Sequence, residues 1–136
     1  MIRTRDITLI DRAIKQTYPT IKSGQYSMGA FLVRGKKIIS SGFNSYTKTH
    51  PITHQIASTH IIPTHAEVAC IAKYLVKRKP ITDDLTLYVV GITRGKNLVK
   101  CSKPCDSCMS LITATGIKRV VYYENDIHFE LKEILL

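Results

Sequence analysis

Three of the four cysteines in this 136-residue chain fall within eight residues, at positions 101, 105 and 108. Cys105 and Cys108 stand three residues apart, which places both sulfurs on one side of a first helical turn. Pro104 favours a helix start there, because its fixed φ suits the first helical position. The positive end of that helix favours thiolate, the form that binds zinc. The spacing therefore predicts a metal site and a reducing compartment rather than a disulfide framework.

A second predicted helix start carries an imidazole and a carboxylate. His65 and Glu67 are two residues apart, which would separate them by about 200° around a regular helix axis. They can share one ion only near a helix end, where His65 ligates directly and Glu67 reaches a bound water. Two thiolates and one imidazole leave the fourth tetrahedral position for water, as in catalytic zinc sites. We therefore predict Zn²⁺ bound by His65, Cys105 and Cys108, with Glu67 as the proton carrier.

The apolar periodicity predicts alternating helices and strands in the order α-β-β-α-β-α-β-α. Predicted helices cover a segment capped by Thr4 that ends near Tyr18, then 65–79, 104–114 with a stop at Gly116, and a last segment. That last helix is capped by Asp126 and has an apolar side formed by Ile127, Leu131, Ile134 and Leu135. Predicted strands cover 30–33 and 38–41, joined by a turn at Gly35, then 85–92, a short strand after 94–97, and 119–123. Helical crossovers predict a three-layer α/β/α sandwich with a mixed central sheet whose later strands are parallel.

Composition limits the classes of protein to consider. At 136 residues and 44% hydrophobic, the chain suits one globular domain over residues 1–136. No window offers the 18 or so continuous apolar residues of a membrane span, and residues 1–11 do not form a signal-peptide core. We therefore expect no membrane association and a cytoplasmic location. The net charge of +10 favours anionic, phosphate-bearing partners, although a basic surface that serves only solubility is the alternative.

The combination of His-x-Glu with Pro-Cys-x-x-Cys is the pattern of the zinc-dependent nucleobase deaminases. Over residues 28–123 the chain resembles the cytidine and deoxycytidylate deaminase superfamily. It most resembles the deoxycytidylate deaminase branch, including short phage and viral forms, so the cytoplasm could be that of a host cell. The matching segments are 28–30, 42–44, 64–67, 103–108 and 116–123.

This resemblance implies hydrolytic deamination of a cytosine nucleotide, dCMP to dUMP with release of ammonia, by a hydrolase acting on the C–N bond of a cyclic amidine. It implies that Glu67 moves protons to the ring nitrogen and the leaving ammonia. It also implies that the Ala66 amide contacts the base carbonyl, the Lys103 carbonyl receives the substrate amine, and Asn44 binds the sugar. A turn asparagine is the alternative for Asn44. Members of the superfamily commonly assemble, so we expect a homo-oligomer.

Other substrates stay open at this point. Free cytidine, other nucleobases, or a base within tRNA or single-stranded DNA are alternatives to dCMP. With three Phe and no Trp, the chain offers few aromatic platforms for stacking a polynucleotide. A non-enzymatic, zinc-stabilised nucleic-acid-binding domain is the remote alternative. A structural site would more often offer four Cys or His ligands and would not need the carboxylate of Glu67.

Further histidines and cysteines allow several interpretations. His50, His54 and His60 could form a second, structural zinc site with Cys101, contact a substrate phosphate, or simply face solvent. Their spacing fits no standard zinc module. Cys70 lies at helical spacing with apolar neighbours and is predicted to be a small core residue. Substrate specificity is expected to depend on residues 44–64 and 93–102.

Overall fold

The computed structural model of the chain describes residues 1–21, 26–44, 65–93, 99–124 and 130–136. Within these ranges there are three α-helices and six strands, apart from a 3₁₀ turn over Tyr18–Thr20. In chain order they are α1 (Thr4–Thr17), β1 (Tyr26–Arg34), β2 (Lys37–Phe43), α2 (Ala66–Val76), β3 (Leu85–Thr93), β4 (Val99–Lys100), α3 (Asp106–Thr115), β5 (Arg119–Tyr123) and β6 (Leu131–Leu135). No helix in the described part of the chain is long and apolar enough to cross a membrane.

The strands form one mixed sheet in the order β2-β1-β3-β5-β6, and β4 pairs with the far end of β3. β1 is antiparallel to both β2 and β3, whereas β3 and β5 are parallel. The predicted parallel pairing of the later strands is confirmed for β3 and β5. The crossover between those two strands contains α3, so the start of α3 lies at the carboxyl end of β3, where parallel sheets commonly bind ligands.

Helices cover both faces of the sheet. Because successive strand residues point to opposite faces, neighbouring residues of one strand enter different cores. On one face, α1 packs with Leu9, Ile10 and Ala13 against Phe31, Val33, Tyr88, Val90 and Val121. On the other face, α2 and α3 pack against Ala30, Leu32, Leu87, Val89 and Val120. This arrangement confirms the predicted three-layer α/β/α architecture.

Of two predicted helix caps, the one at the end of α3 is confirmed and the one at the start of α1 is wrong. Gly116 follows α3 in the left-handed region, with φ of 91°, as its predicted role as a C-terminal cap requires. The cap predicted at the start of α1 is wrong. Thr4 is the first residue of that helix and Arg3 is its N-cap. The carboxylate of Asp6 accepts the Arg3 N–H at 2.8 Å, so a helix residue reaches back to the cap.

The predicted last helix is also wrong where the structure describes it. Residues Leu131–Leu135 form β6, which pairs antiparallel with β5, while Asp126 and Ile127 lie outside the described residues. Leu131 packs in the core under α1, whereas Ile134 packs in the core under α2 and α3. Their three-residue spacing would place them on one side of a helix, but a strand directs them to opposite faces. Because both faces of the sheet are covered, both positions can be apolar in a strand.

Candidate metal centre and active site

The two sequence motifs meet at the starts of two helices. His65 is the N-cap of α2 and Cys105 is the N-cap of α3, and both have extended backbone. Cys108 lies in the first turn of α3 with its side chain 1% exposed. Both helices pack on the same face of the sheet, and their positive ends favour anionic groups. The fold thus brings the imidazole and both thiols into one site.

The distances within this group suit a tetrahedral metal ion. The Nδ1 atom of His65 lies 3.2 Å from the Sγ atom of Cys108 and 3.5 Å from that of Cys105. All three ligand atoms lie within 4.8 Å of one another. Ordinary Zn–N and Zn–S bond lengths in a tetrahedron would place nitrogen and sulfur about 3.5 Å apart. His65, Cys105 and Cys108 therefore form a group able to bind a metal ion.

Protons are shared unequally within the group. The hydrogen bond from Cys108, followed by the one from His65, lowers the pKa of Cys105 to about 3 despite its partial desolvation. The same interaction holds the proton on Cys108, and with burial it raises the pKa of that thiol far above its usual value. The hydrogen bond to Cys105 also raises the pKa of His65. A metal needs thiolates and a neutral imidazole, so a cation that binds here displaces these protons.

Glu67 lies beside the same group. Its side chain is only 5% exposed, and it is within hydrogen-bonding reach of the Cys108 thiol. Burial raises the pKa of its carboxyl above the usual value of 4.5. A buried carboxyl next to a metal-ligand group can hold and pass on protons, which is the chemistry of a general acid and base.

Asn44 lies just past the end of β2, at the edge of the sheet where α2 begins. Two residues earlier, a Cβ atom on Gly42 would stand 2.3 Å from the Cys70 nitrogen and 2.7 Å from the Ala66 oxygen. Only glycine permits this approach of β2 to the first turns of α2. The Oδ1 atom of Asn44 accepts the Met28 N–H at 2.9 Å. Since the amide oxygen is engaged by the backbone, Nδ2 is the donor that the side chain can offer.

The other two residues predicted to bind the substrate differ in exposure. Ala66 is fully buried. Because it is the first residue of α2, its N–H is one of the first-turn amides that have no partner within the helix. Lys103 is exposed and lies two residues before Cys105. The predicted contacts of both residues are made by main-chain atoms, and both residues flank the metal-ligand group along the chain.

Ser102 was not singled out from the sequence. Its side chain is fully buried, and its Oγ atom donates to the Val89 carbonyl at 2.7 Å. The same atom accepts the Tyr123 N–H at 2.9 Å. A serine between a cysteine and a lysine carries no periodicity or motif, so only its closeness to Pro104 and Cys105 could have drawn attention to it.

The remaining candidates have separate outcomes. His50, His54 and His60 lie outside the described residues, so the alternatives of a second zinc site with Cys101, a phosphate contact or solvent-facing histidines stay open. Cys70 is buried in the core as predicted, and burial raises its pKa to about 12. Within the described ranges, His65, Cys105 and Cys108 are the one group of metal-binding side chains close enough to share an ion.

A known protein family matches most of the chain. The cytidine and deoxycytidylate deaminase zinc-binding region matches residues 3–124. That match and the geometry of the His, Cys, Cys group together identify zinc as the cofactor. No curated protein sequence shows significant similarity to the chain.

Solved structures share the fold at low sequence identity. A cytidine deaminase from Burkholderia pseudomallei is 17% identical with a TM-score of 0.62, over 94% of this chain and 91% of its own. A dCMP deaminase from the cyanophage S-TIM5, in complex with dCMP and dUMP, is 20% identical with a TM-score of 0.58. That similarity covers 88% of this chain and 81% of the phage protein. These similarities show a cytidine-deaminase-like α/β fold.

Proposed function

Because the chain belongs to the cytidine and deoxycytidylate deaminase family, we propose that it hydrolytically deaminates a cytosine nucleotide, with dCMP as the first candidate. The reaction replaces the amino group of the ring with oxygen from water and releases ammonia, so the enzyme is a hydrolase acting on the C–N bond of a cyclic amidine. The observation that carries the proposal is the convergence of His65, Cys105 and Cys108 on one point, with the buried carboxyl of Glu67 beside them.

In the proposed mechanism, His65, Cys105 and Cys108 hold the zinc, which when bound supplies a water of lowered pKa. Glu67 takes up a proton of that water at its carboxylate and gives it to the ring nitrogen. The carboxylate then takes the second proton from the hydroxyl that has been added to the ring carbon and gives it to the leaving amine, so that ammonia departs and a carbonyl forms on the ring. Burial of Glu67 suits this task, because it raises the pKa of the carboxyl above its usual value and so makes the carboxylate a better proton acceptor.

Main-chain and side-chain hydrogen-bonding groups orient the substrate in this proposal. The Ala66 N–H binds the carbonyl of the base, and the Lys103 carbonyl accepts from the amine that leaves. Nδ2 of Asn44 donates to the sugar, since Oδ1 is engaged by the Met28 N–H. Such contacts raise the rate by holding the ring carbon close to the attacking water.

Two observations favour a nucleotide over a free nucleoside. The net charge of +10 attracts a phosphate-bearing substrate. The phage protein of similar fold binds dCMP and dUMP. Free cytidine is the second candidate, because the cytidine deaminase structure has the higher TM-score. A base within tRNA or single-stranded DNA is less favoured, because the chain has only three Phe and no Trp to stack it.

Ammonia release from a panel of cytosine compounds tests the proposal. The panel contains dCMP, CMP, deoxycytidine, cytidine and a single-stranded cytosine oligonucleotide, with Glu67→Gln as the inactive control. We expect the highest kcat/KM for dCMP. If cytidine is turned over as fast as dCMP or faster, the nucleoside becomes the proposed substrate. Turnover of the oligonucleotide alone would indicate polynucleotide editing. Turnover of no compound by a zinc-loaded protein would overturn the enzymatic function.

A further inference from the structure

Ser102 lies between the two parallel strands, directly before residues 103–108, which we call the ligand segment. Three hydrogen bonds hold it there. Its Oγ atom donates to the Val89 carbonyl of β3 at 2.7 Å and accepts the Tyr123 N–H of β5 at 2.9 Å. Its own N–H donates to the Tyr123 carbonyl at 2.7 Å. Ser102 is therefore hydrogen-bonded to both strands at once.

The register of β3 and β5 explains why these bonds matter. The paired residues end at Tyr88 and Val121. If the register continued, Val89 would face Tyr122, and its carbonyl would accept the N–H of Tyr123 directly, as in an uninterrupted parallel ladder. The Ser102 hydroxyl stands between these two groups, accepting from one and donating to the other. Ser102 thus takes the place of one rung of the ladder, and beyond it β3 pairs with β4, at Gly91 and Ile92, instead of with β5.

The ligand segment begins where the pairing of β3 with β5 ends. Pro104 is buried directly after this point, and Cys105 follows as the N-cap of α3. We infer that Ser102 is a positioning residue for the metal centre: its hydroxyl fixes the origin of the ligand segment, so that Cys105 and Cys108 stay within reach of His65. This inference rests on the proposed ligation of the metal and is independent of which cytosine compound is the substrate.

Metal affinity measured on purified variants tests the inference without an activity assay. Co²⁺ serves as the probe, because its ligand-field absorption reports the sulfur and nitrogen ligands directly. We expect Ser102→Ala to bind Co²⁺ about tenfold more weakly than wild type and to shift its absorption bands, as loss of an outer support commonly does. Ser102→Thr keeps the hydroxyl and is expected to bind more tightly than Ser102→Val, which has the same shape without it.

Ser40 provides a matched control. Its side chain is also buried, at 7% exposed, and its hydroxyl donates to the Cys70 carbonyl at 2.8 Å. Ser40→Ala therefore removes a comparable buried hydrogen bond that does not border the ligand segment. We expect it to lower thermal stability while its Co²⁺ affinity and absorption spectrum stay those of wild type.

The outcomes separate this inference from the proposed function. If wild type binds neither Co²⁺ nor Zn²⁺, the proposed function itself fails. If wild type binds but Ser102→Ala has the same affinity and spectrum, or if the Thr and Val variants bind equally, only the positioning role fails. A Ser102→Ala protein that is unfolded and is not restored by saturating Co²⁺ would also overturn it, because Ser102 would then support the sheet and not the ligand segment.

Discussion

The Nδ1 atom of His65 lies 3.2 Å from the Sγ atom of Cys108, although 43 positions of chain separate the two residues. Cys108 is buried in the core under α2 and α3, whereas Cys105 is exposed. The metal-ligand group therefore has one ligand anchored in the core and one at the surface. This pairing connects metal binding to the packing of both helices, and it leads to the first prediction.

Replacing Cys108 should abolish zinc binding. The Cys108→Ser protein is expected to retain far less zinc than wild type, which should hold about one ion per chain in the described site. A hydroxyl is a much poorer zinc ligand than a thiolate. The measurement is metal content after stripping with a chelator and reloading with Zn²⁺. Cys70→Ala is the control, since Cys70 is a buried thiol of the same core outside the ligand group. Equal zinc content in wild type and Cys108→Ser would contradict the assignment.

Glu67→Gln should separate metal binding from catalysis. The amide has the shape of the carboxyl but cannot take up and return protons, so we expect kcat to fall about a thousandfold. Zinc content should not change, because Glu67 is not one of the three ligands. Steady-state kinetics on the best substrate, with metal analysis of the same samples, provide the measurement. Activity near that of wild type would remove Glu67 from the mechanism, and loss of zinc would assign it a supporting role for the ligands.

Asn44→Asp should weaken substrate binding while leaving the strand ends intact. An aspartate oxygen can still accept the Met28 N–H, but the side chain then has no donor for the sugar. We expect KM to rise about tenfold, with thermal stability close to wild type. Measuring KM for a nucleoside and for its nucleotide separates two effects of the substitution. Loss of the donor raises KM for both compounds, whereas repulsion between Asp and a phosphate raises it for the nucleotide only. Unchanged KM for both compounds would make Asn44 a turn residue.

The Asp6 carboxylate should make stability depend on pH in the acid range. It is fully buried and accepts hydrogen bonds from the Arg119 guanidinium at 2.7 and 2.8 Å and from the Tyr88 hydroxyl. Burial alone would raise the pKa of Asp6, but the bonds from Arg119, Tyr88 and the Arg3 amide outweigh it and hold the pKa well below 3.8. Its stabilisation is therefore present above pH 3.8 and is lost as pH falls further.

Asp6→Asn tests this dependence. Its amide group would face the donors of Arg119 and Tyr88, so at pH 7 we expect the free energy of unfolding to drop by about 3 kcal/mol. Below pH 3.8 the difference from wild type should shrink. Urea unfolding at several pH values, on metal-free protein throughout, provides the measurement. Asp11→Asn on the same helix is the control, because Asp11 is exposed and pairs only with Lys15 in the described structure. A constant difference across the acid range would contradict the prediction.

Local signals predicted the helix starts that carry the site. The spacing of Cys105 and Cys108, with Pro104 before them, correctly indicated a helix beginning close to the first thiol, and α3 begins at Asp106. Gly116 likewise ended that helix as predicted. These features depend on residues within one or two turns of each other, so the pattern along the chain contains the information. The same reasoning failed for β6, because the spacing of Leu131 and Ile134 fits a helix and a doubly covered strand equally well.

The sequence alone determined which side chains are able to bind zinc, because residue type and short spacing decide which donor atoms stand near each other at a helix start, and the proton transfer by Glu67 stays a prediction. Only the tertiary structure decided that Ser102 interrupts the β3 and β5 ladder, and that Arg119 pairs with Asp6 across 113 positions. Such contacts depend on how the strands and helices pack after the chain has folded. No local sequence pattern predicts them, since the partners are distant along the chain and become neighbours only when the strands and helices pack together.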